Sequence, residues 1–141
     1  HIVKLAKEKG FEVVAREDTN GTFDSALEAA KKILNEQPDI TAIMCGNDQM
    51  AVAAKTALNL AGNDQTVVYS IDGSPDIKKE LKKADSQIAG TVAQSPVNIG
   101  KKAVDIALDI LEGKDFEKET SVDVFMINKE NVEMYGADGW Q

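Results

Sequence analysis

The predicted architecture depends on residues 41–61, which read TAIMCGNDQMAVAAKTALNLA. The apolar run that ends at Cys45 is typical of a strand buried on both faces of a sheet. Gly46-Asn47-Asp48 interrupts this run, and an alanine-rich pattern typical of a helix follows at once. Either Asn47 or Asp48 can cap the helix, because its side-chain oxygen can accept a hydrogen bond from an unpaired backbone N–H group. A strand, a short polar turn and a helix together make half of a βαβ unit.

The same order of strand, turn and helix recurs along the chain. VVYSIDGSPDIKKEL at 67–81 and IAGTVAQSPVNIGKKAV at 88–104 both repeat it. Predicted strands lie near residues 11–16, 40–45, 66–71, 88–93 and 122–127, and predicted helices at 2–9, 22–37, 48–61, 75–84 and 96–112. Strands that alternate with helices through short turns predict an α/β fold, a doubly wound, Rossmann-like parallel sheet with helices on both faces.

One polar side chain stands at the end of each of three predicted strands: Asn47, Asp72 and Gln94. The carboxyl ends of parallel strands share one edge of a sheet, where the ligands of open α/β folds bind. Carboxylate and amide groups place two acceptors, or an acceptor and a donor, next to each other, which matches the neighbouring hydroxyls of a sugar. Helix capping alone could explain Asn47 or Asp72. Three such residues at successive strand ends favour a ligand-binding site.

Composition and charge exclude several classes of function. The chain of 141 residues carries 16 basic and 24 acidic side chains, which gives a net charge of −8. Nucleic-acid binding is not expected, because it needs clustered Lys and Arg to displace counterions from phosphates. No apolar run approaches the roughly 18 residues of a membrane-spanning helix. The composition is that of an ordinary globular domain.

The sequence predicts neither an enzyme nor a cofactor. Cys45, the single cysteine, ends an apolar strand and should be buried, and the single histidine is His1 at the chain end. A cysteine nucleophile needs a base within hydrogen-bond reach, and neither such a pair nor a glycine-rich phosphate loop is visible. Residues 18–24, DTNGTFD, suggest a calcium loop, but the glycine is fourth rather than sixth and no glutamate stands at the twelfth position. No metal site is therefore expected.

Three runs carry a resemblance to a known family. GNDQMAVAAKTAL at 46–58, VVYSIDGSPD at 67–76 and AGTVAQSPVNIGKKAVDIALDILEG at 89–113 resemble the type I periplasmic sugar-binding proteins of ABC transporters, the ribose/galactose-binding group. The resemblance implies an extracytoplasmic substrate-binding component, in the periplasm or on the cell surface, that captures a sugar for the transporter's membrane subunits. Carried over residue by residue, the family's polar sugar contacts fall on Asn47, Asp72 and Gln94.

The resemblance also implies a division of the chain, because the match is to the C-terminal half of such a protein. Residues 1–93 correspond to the C-terminal ligand-binding lobe, residues 94–120 to a helix of the N-terminal lobe, and residues 121–141 to a returning strand and tail. The chain is therefore expected to be a fragment that binds sugars weakly. The apolar stripe of helix 96–112 would lack its partner in the other lobe, so self-association through this helix is expected.

Two other classes remain open at this point. The effector-binding domain of lac-repressor-type transcription regulators shares the architecture, but it tends to read GFDD where this chain reads SIDGSP at 70–75. A receiver-type signalling domain needs an acidic pair after its first strand, which Glu17-Asp18 could imitate. It also needs a lysine before the loop that follows its last strand, where this chain has QSP at 94–96. The transport protein is the preferred interpretation.

Overall fold

The computed structural model of this chain describes residues 2–140. His1, the single histidine, lies outside the described residues, as do the extreme ends of the predicted segments 1–93 and 121–141. The helices are Ile2–Glu8 (α1), Phe23–Glu36 (α2), Asp48–Ala61 (α3), Pro75–Leu81 (α4), Pro96–Leu111 (α5) and Val132–Tyr135 (α6). The strands are Ala42–Met44 (β1), Val67–Asp72 (β2), Ile88–Ala93 (β3) and Phe125–Asn128 (β4). Within residues 2–140, no helix is long and apolar enough to cross a membrane.

The strands form one sheet in the order β1-β2-β3-β4. β2 lies parallel to both β1 and β3, with Ser70 opposite Thr91. β4 runs antiparallel to β3, and Phe125 lies opposite Ala93. This arrangement confirms the predicted α/β architecture with a parallel sheet.

The prediction that the strand before Gly46 is buried on both faces is wrong, because β1 is an edge strand of the described sheet and its Ala42 and Met44 are exposed. The last strand begins at Phe125 rather than at the predicted residue 122. β3 ends at Ala93, so the residues before Phe125 have no β3 residue with which their backbone can pair.

The strand predicted at residues 11–16 is wrong, because these residues have no regular secondary structure. Their β-branched composition suits a strand, but a strand needs a neighbour to which its backbone N–H and C=O groups can bond. β1 pairs only with β2 in the described sheet, and none of the described strands pairs with residues 11–16. Phe11 and Val14 are consequently exposed.

The hydrophobic core joins the sheet to helices α2, α3 and α4. α2 and α3 pack closely, because most of the residues that they bury are alanines. The buried residues are Ala26, Ala30 and Leu34 of α2 and Asp48, Ala51, Ala53, Ala54, Ala57 and Leu58 of α3. From the sheet, Val68 and Ile88 are fully buried. This packing fixes the start of α3 against the ends of β2 and β3.

α5 stands apart from this core, since every one of its residues is at least partly exposed. Its apolar stripe includes Val104, Leu108 and Leu111, of which Leu108 is 50% and Leu111 81% exposed. The stripe predicted for this helix therefore lies uncovered within the described part of the chain.

The C-terminal segment, by contrast, is attached to the body of the domain. Tyr135 of α6 stacks on Phe125 of β4, with ring centroids 5.0 Å apart. The ammonium group of the buried Lys78 donates a hydrogen bond to the Gly139 carbonyl at 2.5 Å. Burial lowers the pKa of Lys78, and the nearby carboxylate of Asp138 opposes that shift. The segment thus covers a charged side chain of α4.

Candidate functional site

The three predicted site residues lie at the same edge of the sheet. Asn47 follows the end of β1, Asp72 is the last residue of β2, and Gln94 follows β3. These strands are parallel, so their carboxyl ends share one edge. The structure joins Asp72 directly to Gln94 and gives Asn47 separate contacts. Their role in binding a ligand stays a prediction.

Asn47 caps α3 and anchors a turn that precedes α2. Its Oδ1 accepts a hydrogen bond from the Met50 N–H group at 2.8 Å, as expected of an N-cap. Its Nδ2 donates to the Gly21 carbonyl at 3.0 Å. The capping interpretation is therefore correct for Asn47. A side-chain amide has two donors and two lone pairs, so one donor and one acceptor of Asn47 are left for a ligand.

Asp72 and Gln94 form a paired polar group. Gln94 Nε2 donates to Asp72 Oδ1 at 2.7 Å, and the Gln94 backbone N–H donates to the Asp72 carbonyl at 3.1 Å. Both residues are half-buried. Asp72 Oδ2 and Gln94 Oε1 have no hydrogen-bond partner among residues 2–140. The pair therefore presents two free acceptors and one free donor side by side.

The backbone at this pair is strained. Asp72 has a φ of 130°, which residues with a side chain seldom adopt. Gly73 follows with a φ of 78°, and a Cβ at that position would lie 2.5 Å from the Cβ of Ala93. The turn therefore passes so close to β3 that only glycine fits. Strain of this kind persists only where the surroundings hold it, and it concentrates at functional sites.

A buried hydrogen-bond network supports this edge, with Asp48 at its centre. Asp48 Oδ1 accepts from Ser70 Oγ at 2.5 Å and from Thr91 Oγ1 at 2.8 Å. Asp48 Oδ2 accepts from the Ser74 N–H group at 2.6 Å. The sequence pattern indicated Asp48 only as a possible helix cap. Ser70 and Thr91, two hydroxyl residues at buried positions of otherwise apolar strands, were the signal that could have revealed the network.

Two depressions border the edge. The larger has a volume of about 640 Å³, lies beside Asn47 and is lined mainly by residues of the segment 16–21. The smaller has a volume of about 260 Å³ and lies between Gln94, Ile99 and the segment 120–124. The larger falls within the usual size range of small-molecule sites. In the part of the chain that the structure describes, no group of three or more His, Cys, Asp or Glu side chains could hold a metal ion.

Cys45 is buried just before the site, and we expect its thiol to be unreactive in the folded protein. Burial, assisted by the charge of Asp48, raises the pKa of Cys45 from 9.0 to about 12. Iodoacetamide at about pH 10 should therefore alkylate the folded protein far more slowly than the urea-unfolded protein, since the thiolate is the reactive form. Mass spectrometry of quenched samples measures both rates, and equal rates would contradict the expected burial.

The raised pKa of Cys45 also determines whether the free energy of unfolding rises or falls with pH. Above about pH 9 the unfolded state loses the Cys45 proton while the folded state keeps it, so the free energy of unfolding should fall as the pH rises toward about 12. Cys45→Ser removes the titrating group and should remove this contribution to the slope, which denaturant unfolding at several pH values would measure.

The chain is similar to known proteins both in sequence and in structure. The family described as periplasmic binding protein domain matches residues 2–115. The ribose import binding protein of Salmonella typhimurium is 33% identical over 120 residues, and that of Bacillus subtilis is 36% identical over 110 residues. These alignments cover 85% and 78% of this chain but only 40% and 35% of the relatives. The chain thus spans less than half the length of these curated relatives.

Solved structures agree with the sequence matches. An ABC transporter periplasmic solute-binding protein of Actinobacillus succinogenes, with bound D-allose, superposes with a TM-score of 0.84 at 27% identity. A glucose-galactose binding protein of Geobacillus stearothermophilus superposes with a TM-score of 0.82 at 29% identity. The superpositions cover 95% and 90% of this chain, and 47% and 45% of the two neighbours.

Proposed function

The chain belongs to the family of periplasmic binding protein domains, and from this premise we propose that it forms one sugar-binding lobe of the substrate-binding component of an ABC transporter. Relatives named for ribose import and a neighbour that holds D-allose support a sugar as the class of ligand. The whole protein would act outside the cytoplasm, with the transporter's membrane subunits as its partners. Since these relatives are transport proteins, this interpretation is preferred to a transcription regulator or a receiver domain.

The proposal depends mainly on the paired side chains of Asp72 and Gln94. Adjacent sugar hydroxyls can donate to Asp72 Oδ2 and Gln94 Oε1, while the second N–H of Gln94 Nε2 can donate to a sugar oxygen. Hydrogen bonds to a charged group are the stronger ones, which makes Asp72 the principal contact. Asn47 would add a donor and an acceptor from the next strand end, beside the larger depression.

The division of the chain into lobes is part of the same proposal. Residues 1–93 would form the ligand-binding lobe, residues 94–120 would carry a helix that packs on a second lobe, and residues 121–141 would return to the first. The exposed stripe of α5 supports this division, because an apolar helix face is normally covered in a soluble protein. The attachment of β4 to β3 supports the return of the chain.

We expect this chain alone to bind sugars weakly, with a dissociation constant of about 1 mM or more. A complete cleft buries most of a ligand, whereas one wall leaves it half-solvated. Each hydrogen bond then contributes only about 0.5–1.5 kcal/mol. A few such bonds do not offset the cost of immobilising the ligand. Calorimetry and NMR titration with D-ribose, D-allose and D-galactose measure the affinity.

Matched variants test the site in that titration. Asp72→Ala should abolish the sugar-induced shifts of the resonances around Gln94. Asp64→Ala, an exposed change near the amino end of β2, should leave them unchanged. Micromolar binding by the chain alone would contradict the expected weakness, and sugar-induced shifts that survive Asp72→Ala would contradict the assignment of the site.

A further inference from the structure

Asp48 has an unusual position for a charged side chain. It is the first residue of α3, yet only 5% of it is exposed. A carboxylate in such surroundings needs hydrogen-bond donors to replace water. Three donors surround it: the hydroxyls of Ser70 and Thr91 and the N–H group of Ser74. The adjacent Asn47 performs the capping, so the Asp48 side chain is available for another task.

The three donors come from three different parts of the edge. Ser70 belongs to β2, Thr91 to β3, and Ser74 to the turn that leads into α4. Ser70 and Thr91 are also directly opposite each other in the sheet. Asp48 therefore ties the start of α3 to two strands and to the following turn at once.

The network reaches the turn that contains Asp72. Thr91 Oγ1 donates to Asp48 and accepts from the Gly73 N–H group at 3.2 Å. Asp48 also holds the next amide, that of Ser74. Both amides that follow Asp72 are thus fixed by this network, and Asp72 itself has the unfavourable φ of 130°. A residue with an unfavourable φ keeps it only when its neighbours are held in place.

We propose that Asp48 is the positioning residue of the sugar site: through Thr91 and Ser74 it holds the turn after Asp72, and so keeps the Asp72 carboxylate paired with Gln94. It does this without contacting the sugar. The idea that Asp48 serves sugar binding rests on the proposed function. The geometry of the turn that Asp48 holds can be measured without any sugar.

A pair of variants at Thr91 tests the proposal on the full chain. Thr91→Val keeps the shape of the side chain and removes the hydroxyl between Asp48 and Gly73. We expect the Gly73 amide to exchange with solvent about tenfold faster. The side-chain amide resonances of Gln94 should move, and the D-ribose-induced shifts should weaken at least about threefold. Thr91→Ser keeps the hydroxyl and should restore all three properties.

Asp48→Asn tests the carboxylate itself. An asparagine offers one acceptor oxygen instead of two, so it cannot serve the two hydroxyls and the Ser74 amide together. We expect the same changes at Gly73 and Gln94, together with faster exchange of the Ser74 amide. Should Asp48→Asn fail to fold, the two Thr91 variants decide the question on their own.

The readouts separate positioning from a merely structural role. Lower thermal stability of Thr91→Val, with the Gln94 side-chain resonances and the D-ribose response unchanged, would overturn the proposal. Failure of the wild-type chain to respond to D-ribose, D-allose or D-galactose, even at concentrations well above about 1 mM, would instead count against the proposed function. The Gly73 and Gln94 resonances would still show whether Asp48 keeps the turn after Asp72 in place.

Discussion

Gly73→Ala is expected to lower the free energy of unfolding by about 2–5 kcal/mol. Part of the loss comes from the backbone, because Gly73 has a φ of 78°, where a side chain costs about 1–2 kcal/mol. The larger part is steric. The new Cβ would lie 2.5 Å from the Cβ and 2.9 Å from the Cα of Ala93. Ala93 is fully buried in β3, so it cannot move aside without displacing the strand.

Gly62→Ala is the matched control for this substitution. Gly62 ends α3 with a φ of 65°, but a Cβ there would meet no atom within 4 Å. Gly62→Ala should therefore lower the free energy of unfolding only by the backbone contribution, about 1–2 kcal/mol. Urea unfolding of both variants measures the two losses from the shift in midpoint at constant slope. Equal losses would show that the turn after Asp72 has room to adjust, contrary to the close approach described above.

Wild-type protein is expected to associate as its concentration rises, and Leu108→Lys is expected to keep it monomeric. The uncovered stripe of α5 costs about 25 cal/mol for each Å² of apolar surface left in water. Two copies can cover these stripes with each other or exchange the helix. Light scattering across a concentration series should show the wild-type mass rising above 15.2 kDa, while Leu108→Lys stays near that value.

Asn98→Lys is the control for the added charge. Asn98 is exposed on α5 and lies outside the stripe of Val104, Leu108 and Leu111. This variant adds the same charge to the same helix, so it should associate as the wild type does. A wild-type protein that stays monomeric at high concentration would show that α5 does not hold a second copy. Equal loss of association in both lysine variants would show that net charge, rather than the stripe, controls it.

Local sequence signals predicted the fold where a structural element has its partners within the chain. α3 and β3 have the predicted boundaries, Asp48–Ala61 and Ile88–Ala93, because polar turn residues and Gly62 mark their ends. The error at residues 11–16 has a different origin. β-branched residues indicate that a segment can form a strand, but its backbone pairs only when a neighbour is present.

The candidate site likewise depends partly on local sequence signals and partly on tertiary contacts. A polar residue after each parallel strand was enough to place Asn47, Asp72 and Gln94 at one edge. The contact between Asp72 and Gln94 and the positive φ of Asp72 depend on how closely the turn approaches β3. The hydrogen bonds of Asp48 are equally tertiary, because Asp48 begins α3 while Ser70 and Thr91 lie on β2 and β3; the two hydroxyl residues in apolar strands are the only local sign of them.

The strands occupy the sheet in the order in which they occur along the chain. Ile43 pairs with Val68, Ser70 with Thr91, and Ala93 with Phe125. Each new strand closes a loop of roughly twenty to thirty residues onto the strand just before it, and the entropy lost on closure grows only slowly with loop length. As the ribosome releases the chain from its N-terminal end, each described strand after β1 therefore finds its partner already synthesised, and the sheet can grow in the direction of translation.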